Sequence, residues 1–282
     1  MATRDQALPL GAVETVERDG GRLLINADYA EILERNKLDS AEALWNLQGE
    51  DVKKQLSTRG TERAFLSLGD GGEKIEAYVK RYYPLPVKEY VKNIISMRPF
   101  FPDGAKHEWD SILAFHSAGI ATMEPIAVGS VEAGKGVLLT RGITGYRRAS
   151  DLLVEWSPEE RSAERLELVA NIAELAGKMH AAEFAHQDFY LVHLFVLENL
   201  SVLPIDLQRI VFPDRFSRRW RVKDLGQLLY SAGKCATEEE ISLFWRKYVE
   251  STGISEVDRK DVLGSAERKA AAILRRSERK KR

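Results

Sequence analysis

HQDFYLVHLFVLENLSVLPIDLQRI, residues 186–210, is the stretch whose reading decides the fold. Asp188 sits in a polar turn and an apolar run follows it. Glu198-Asn199 breaks that run, and a second apolar run ends at Asp206. Two short apolar runs around a polar break read as a β-hairpin. The hairpin carries an acid at each end. Either two adjacent strands hold a pair of carboxylates at one site, or the two aspartates are unrelated loop residues. The hairpin alone leaves both readings open.

The rest of the chain narrows the choice. With 282 residues, 44% hydrophobic and 30% charged, it has the composition of an ordinary globular protein of one large domain or two lobes. No apolar run approaches the roughly 20 residues that span a bilayer. The segment MATRDQALPLGAVETVERDGG lacks the apolar core of a secretory signal. Cys235 is the only cysteine, which excludes an intrachain disulfide or a cysteine-based metal cluster. A cytoplasmic protein is the expectation. The net charge of −1 conceals an asymmetry: 266–282 holds eight Lys/Arg against Glu267 and Glu278, a local +6 that leaves about −7 for the remainder. Such a tail reads as a solvated helix end, a nucleic-acid arm or an anchor to an anionic membrane surface.

Working outward from the hairpin, residues 1–50 read as an N-terminal extension with short helices. Three strand-like runs follow between 52 and 83, VKKQL, ERAFLSL and IEAYVKRYY, separated by the turn signals STRGT and GDGG. Trp109, Ile112 and Leu113 repeat at helical spacing, predicting a helix over 106–118 that stops at Gly119. Two more strand-like runs, EPIAVGSV and GVLLTR, complete a βββαββ order over 51–141. Ser157-Pro158-Glu159-Glu160 carries the marks of a helix start, predicting a helix from there to about Phe184. Three more helices are expected after the hairpin. The fold class is thus α+β, with a small β-rich lobe to residue 141, an α-rich lobe over 142–265, and the basic helical tail 266–282.

Lys80 and Arg81 are neighbours on a strand and so point to opposite faces. A strand lysine either reaches a polyphosphate or protects a sheet edge. Glu108, at the border of the apolar helix stripe, either fixes that lysine or answers the helix dipole. Phosphoryl transfer to a hydroxyl needs metal ions near the phosphates and an acid that orients the acceptor. Asp188 and Asp206 are suited to those tasks, with His193 five residues after Asp188.

The order Lys80, Glu108, His186-Gln187-Asp188, Asp206 resembles the protein-kinase-like fold. More narrowly, HQDFYLVHLFV, PIDLQRI and RRWRVKDLGQLLYSA resemble the bacterial lipopolysaccharide core heptose kinases, within the wider Kdo and lipopolysaccharide kinase family. The likeness runs from about residue 45 to 235. It implies an ATP- and Mg²⁺-dependent kinase with Asp188 as catalytic base and Asp206 as metal ligand. Lys80 would contact the α/β-phosphates and pair with Glu108. Backbone groups of Leu139, Thr140 and Arg141 would face adenine. Asp224 would brace the catalytic loop, with His186 packed beneath it. Gly60 is the one glycine of STRGT, where a glycine-rich phosphate loop would carry three. Asp206-Leu207-Gln208 replaces the Asp-Phe-Gly of protein kinases, and His193 replaces a metal-binding asparagine. Both departures are shared with the heptose kinases. His193 is read as a metal ligand or as a hydrogen-bonding prop, since imidazole is a poor Mg²⁺ ligand.

The implied acceptor is a heptose hydroxyl of a lipid-linked glycan, the lipopolysaccharide inner core, at the inner face of the inner membrane. Nucleic acid is not an expected partner. Arg209, Arg215, Arg218, Arg219 and Arg221 follow Asp206, either as a solvated loop or as forks for an anionic acceptor, with Arg209 foremost. The rival expectations are a kinase of the same fold acting on Kdo, another sugar or a protein hydroxyl, and a catalytically silent kinase-like binding module.

Overall fold

The computed structural model describes residues 11–56, 58–69, 71–84 and 103–279. The chain divides into two compact units, 1–143 and 144–282.

The first unit is built on one antiparallel sheet with strands β1 (Thr15–Arg18), β2 (Leu23–Asn26), β3 (Asp51–Leu56), β4 (Arg59–Ser67), β5 (Lys74–Tyr82), β6 (Pro125–Glu132) and β7 (Lys135–Arg141). Their spatial order is β1-β2-β6-β7-β5-β4-β3. Helices α1 (Ala30–Arg35) and α2 (Ala41–Trp45) precede β3, and α3 (Gly104–Ser117) lies between β5 and β6. Residues 15–26 are therefore not an appendage: β2 pairs with β6 and extends the sheet. In β6 and β7, IAV and GVLL are buried on both faces and require a layer on each side. Leu33 and Leu44 cover one face, packing with Val79, Val137 and Leu139. On the other face, α3 approaches so closely that a Cβ on Gly136 would stand 3.0 Å from the Cβ of Ala105. Asp103 caps α3, accepting from Lys106 N–H at 2.9 Å and from Ser130 Oγ at 2.9 Å.

The second unit contains α4 (Ala149–Glu155), α5 (Ser162–Ala181), α6 (Arg218–Ala232), α7 (Glu238–Thr252) and α8 (Glu256–Arg279). A small sheet is ordered β10-β9-β8, from β8 (Arg147–Arg148), β9 (Leu194–Val196) and β10 (Val202–Pro204). The predicted helix start at Ser157 is instead a tight turn. Ser157 Oγ accepts from the N–H groups of Glu159 and Glu160 at 3.3 and 3.4 Å, and α5 begins five residues later. Helix α8 runs without a break through residue 266, where Ala266 is buried, so 266–279 continues a packed helix. No helix among the described residues is long and apolar enough to cross a membrane.

Arg165 organises the second unit. Fully buried, it donates to Glu240 through Nε at 2.6 Å and Nη2 at 2.9 Å. It also donates to the carbonyls of Leu153, Trp156 and Cys235 at 2.7–2.8 Å. All five guanidinium N–H groups are thereby answered. Glu240 also closes the capping box of α7 with Thr237.

Candidate active site

Alternation along β5 separates Lys80 from Arg81. Lys80 Nζ meets Glu108 Oε1 on α3 at 2.5 Å, while the other carboxylate oxygen accepts from Tyr82 Oη, two residues further along the same strand face. Arg81 turns to the opposite face, donating to the carbonyls of Trp45 and Leu47 and pairing with Glu62 at 2.9 Å. Glu108 is fully buried and Lys80 is 15% exposed on its side chain, so the ammonium is fixed in place with only a small open face. Tyr82 had no sequence-level signal beyond its two-residue spacing from Lys80.

The other expected nucleotide contacts, Gly60 and residues 139–141, lie in strands. Gly60 is not in the turn: Leu56 pairs with Arg59, and Gly60 pairs with both Gln55 and Arg81 inside β4. The glycine's backbone thus belongs to the ladder. Leu139, Thr140 and Arg141 lie in β7 between two partner strands, opposite Val79, Tyr78 and Ala77 on β5. On the other side Thr140 pairs with Pro125, and Arg141 N–H donates to Glu124 O at 2.9 Å. Gly142 N–H, just past the end of β7, donates to Glu76 O at 2.8 Å. Arg141 also binds Glu124 through its side chain at 3.2 Å. Tyr29 joins this cluster, and burial, with Glu124 beside it, pushes its phenol far above its ordinary value.

In the second unit the loop 186–193 is suspended from one face of α6. Asp224, fully buried, accepts from the N–H groups of His186 at 2.6 Å and Gln187 at 2.7 Å. Gln227 accepts from Phe189 N–H at 3.1 Å and donates to Gln187 O at 2.8 Å. Ser231 Oγ accepts from Leu191 N–H at 3.1 Å. Residues 224, 227 and 231 share one helical face, a polar row turned toward the loop. That spacing was the available signal for Gln227 and Ser231. His180 completes the support: its Nε2 faces Asp224 at 3.4 Å and its Nδ1 meets Tyr248 Oη at 2.8 Å.

His186 links the loop to the hairpin. Asp188 N–H donates to its Nδ1 at 3.3 Å, and its Nε2 donates to Ile205 O at 3.0 Å. Burial lowers the pKa values of His180 and His186, which keeps both rings neutral and suits one nitrogen accepting while the other donates. The Ile205 N–H donates to His193 O at 3.0 Å. The residue before Asp206 is therefore tied on both sides to the loop that carries Asp188. Gln187 and Asp206 both adopt the left-handed region, with φ of 66° and 64°. Strain of that kind persists where surroundings impose it, and here it flanks the candidate chemistry.

His193 Nδ1 donates to Asp188 O at 2.7 Å, so one ring nitrogen acts as a prop for the loop. Among the described residues no three His, Cys, Asp or Glu side chains gather at one point. That poverty of protein ligands fits Mg²⁺, which is commonly held by one or two carboxylates with substrate phosphates and water.

Asp188 itself is held by Arg209, whose Nη1 lies 3.0 Å from Oδ2 and 3.2 Å from Oδ1. Lys223, unremarked in the sequence, donates to Gln187 Oε1 at 2.8 Å. Burial, and next the Arg209 charge, bring its pKa down to about 8. Of the other arginines, Arg218 pairs with Asp261 at 2.5 Å and Arg219 stacks on Trp220, 4.2 Å from the ring centre.

Residues 42–248 match the lipopolysaccharide kinase (Kdo/WaaP) family. The chain belongs to that family. It is 31% identical over 261 residues to a lipopolysaccharide core heptose(I) kinase WaaP of Escherichia coli, covering 86% of this chain and 94% of that protein. The enzyme of the same name from Pseudomonas aeruginosa PAO1 is 30% identical over 263 residues, 86% of this chain and 93% of the relative. The relative from E. coli K12 is 31% identical over 219 residues, 72% and 78% of the two chains.

Proposed function

We propose that this member of the family is an ATP- and Mg²⁺-dependent kinase of protein-kinase-like fold. It transfers the γ-phosphoryl group to a heptose hydroxyl of the lipopolysaccharide inner core, heptose(I) by analogy with the names of its relatives. The observation that carries the reading is the Asp188 loop: an acid presented on a backbone that α6, His186 and His193 hold from three sides. Similarity to heptose(I) kinases over most of both chains supports the choice of acceptor.

In this reading Lys80, fixed by Glu108, binds the α/β-phosphates, and Asp206 holds the metal. Mg²⁺ when bound neutralises charge on the transferring phosphates. Adenine recognition falls to backbone groups of Leu139, Thr140 and Arg141 at the end of β7. As the acceptor oxygen bonds to the γ-phosphorus and the bond to ADP breaks, Asp188 takes the hydroxyl proton. The exposed face of α8, bearing Arg268, Lys269, Arg275, Arg276 and Arg279, would attach the enzyme to anionic lipid at the membrane's inner face.

The test offers the purified chain, Mg²⁺ and γ-labelled ATP a panel of core glycolipid lacking only its heptose phosphate, free Kdo and a generic protein. Label should enter the glycolipid, and phosphorus–proton correlation NMR should place it on heptose. Label confined to Kdo or protein would move the acceptor, and no label anywhere would remove the enzymatic reading.

A further inference from the structure

The candidate base is not open. Arg209 contacts both oxygens of Asp188 from a position 48% exposed on its side chain, and Asp188 is itself 21% exposed. A carboxylate engaged in this way has its lone pairs turned toward a cation and is a poor acceptor for a hydroxyl proton. Yet a pair this accessible is weakly held, on the order of 0–1 kcal/mol. A phosphate or carboxylate arriving with a substrate competes for the same guanidinium with two parallel N–H donors.

The neighbourhood also carries positive charge that its own acids leave poorly compensated. Lys223 is half-buried, and its hydrogen bond goes to a neutral amide oxygen of Gln187. Arg209 and Lys269 repel it; Asp188 and Asp224 attract it. Asp224, however, already accepts two backbone N–H groups, and Asp188 is engaged by Arg209. An added oxyanion between Arg209 and Lys223 would balance the set.

We infer that Arg209 reads the negative charge of the acceptor: an oxyanion on the glycan takes the guanidinium from Asp188, and only then is the base free. This rests on the reading of Asp188 as the base. It specifies the acceptor class as a sugar bearing a phosphate or carboxylate near the hydroxyl that reacts. The freed carboxylate takes the hydroxyl proton while the acceptor oxygen replaces ADP on the γ-phosphorus. Without such an acceptor Arg209 keeps Asp188 from activating water, so ATP is spared from hydrolysis.

The experiment compares the full chain with Arg209→Gln, and with Arg209→Lys as a charge-retaining control. ADP release is followed without acceptor, and transfer is followed to three acceptors: core glycolipid lacking only its heptose phosphate, and that glycolipid further phosphatase-treated or carboxyl-reduced. Wild type should release little ADP alone and should lose transfer, expressed as kcat/KM, on one of the two treated acceptors, which identifies the anion read. Arg209→Gln should release ADP several-fold faster without acceptor and treat the three glycolipids alike. Equal wild-type rates on all three acceptors would overturn the inference. So would an Arg209→Gln protein that slows on every acceptor by one factor without faster ADP release. If wild type transfers to no glycolipid, the proposed acceptor is what fails, and the ADP comparison still decides whether Arg209 restrains Asp188.

Discussion

Two arginine–carboxylate pairs in the helical unit share their chemistry and differ in everything around it. Arg165 and Glu240 are buried, and every donor of the guanidinium has an acceptor. Arg209 and Asp188 lie at the surface, joined through a single nitrogen. The first pair ties α5, the α4 end and the start of α7 into one body. The second is easily exchanged. Burial and completeness, rather than the presence of an ion pair, separate a structural contact from one that a substrate can rearrange. Lys80–Glu108 lies between the extremes, with a buried acid and a slightly open lysine, which suits a cation that must be both fixed and presented.

The contrast can be broken at each pair. Arg165→Ala strands Glu240 in the interior and should cost about 3–5 kcal/mol in chemical denaturation; a loss below 1 kcal/mol would deny it a structural role. Lys80→Met leaves Glu108 buried with only the Tyr82 hydroxyl, and should cost about 3 kcal/mol, the lower end of the range for a broken buried pair. A smaller effect follows from Lys223. Its folded pKa of about 8 lies below its ordinary 10.5, so between these values the unfolded chain binds more protons and stability rises with pH. Below pH 8 the lysine is charged in both states and the full penalty persists. Wild type should therefore gain stability relative to Lys223→Gln from about pH 8 to 10.5, and parallel curves would contradict the assignment. Arg209→Ala should change stability least, by less than about 1 kcal/mol.

Sequence reading reached the parts of the site that local spacing encodes. The 186–210 hairpin, the acids at its ends and Asp224 on a helix are features of short segments, and alternation on β5 separated Lys80 from Arg81. What escaped it depends on partners chosen at long range. Arg165 and Glu240 are 75 residues apart, and nothing near either names the other. Residues 15–26 join the sheet because β6 needs a neighbour, a demand invisible in RLLIN itself. Gly60 was misplaced because glycine signals a turn statistically, whereas the pairing of Leu56 with Arg59 closed the turn before it. The strand GVLLTR was recognised, but its place between two neighbours follows only from sheet order.

The central claim is that Asp188 is the base of phosphoryl transfer, and Asp188→Asn tests it most directly. Transfer from γ-labelled ATP to core glycolipid would be measured beside ATP binding and thermal unfolding. The account predicts a fall of about 10²–10⁴-fold in transfer, with ATP affinity and unfolding temperature unchanged. Transfer at near wild-type rate by the folded Asp188→Asn protein would contradict it.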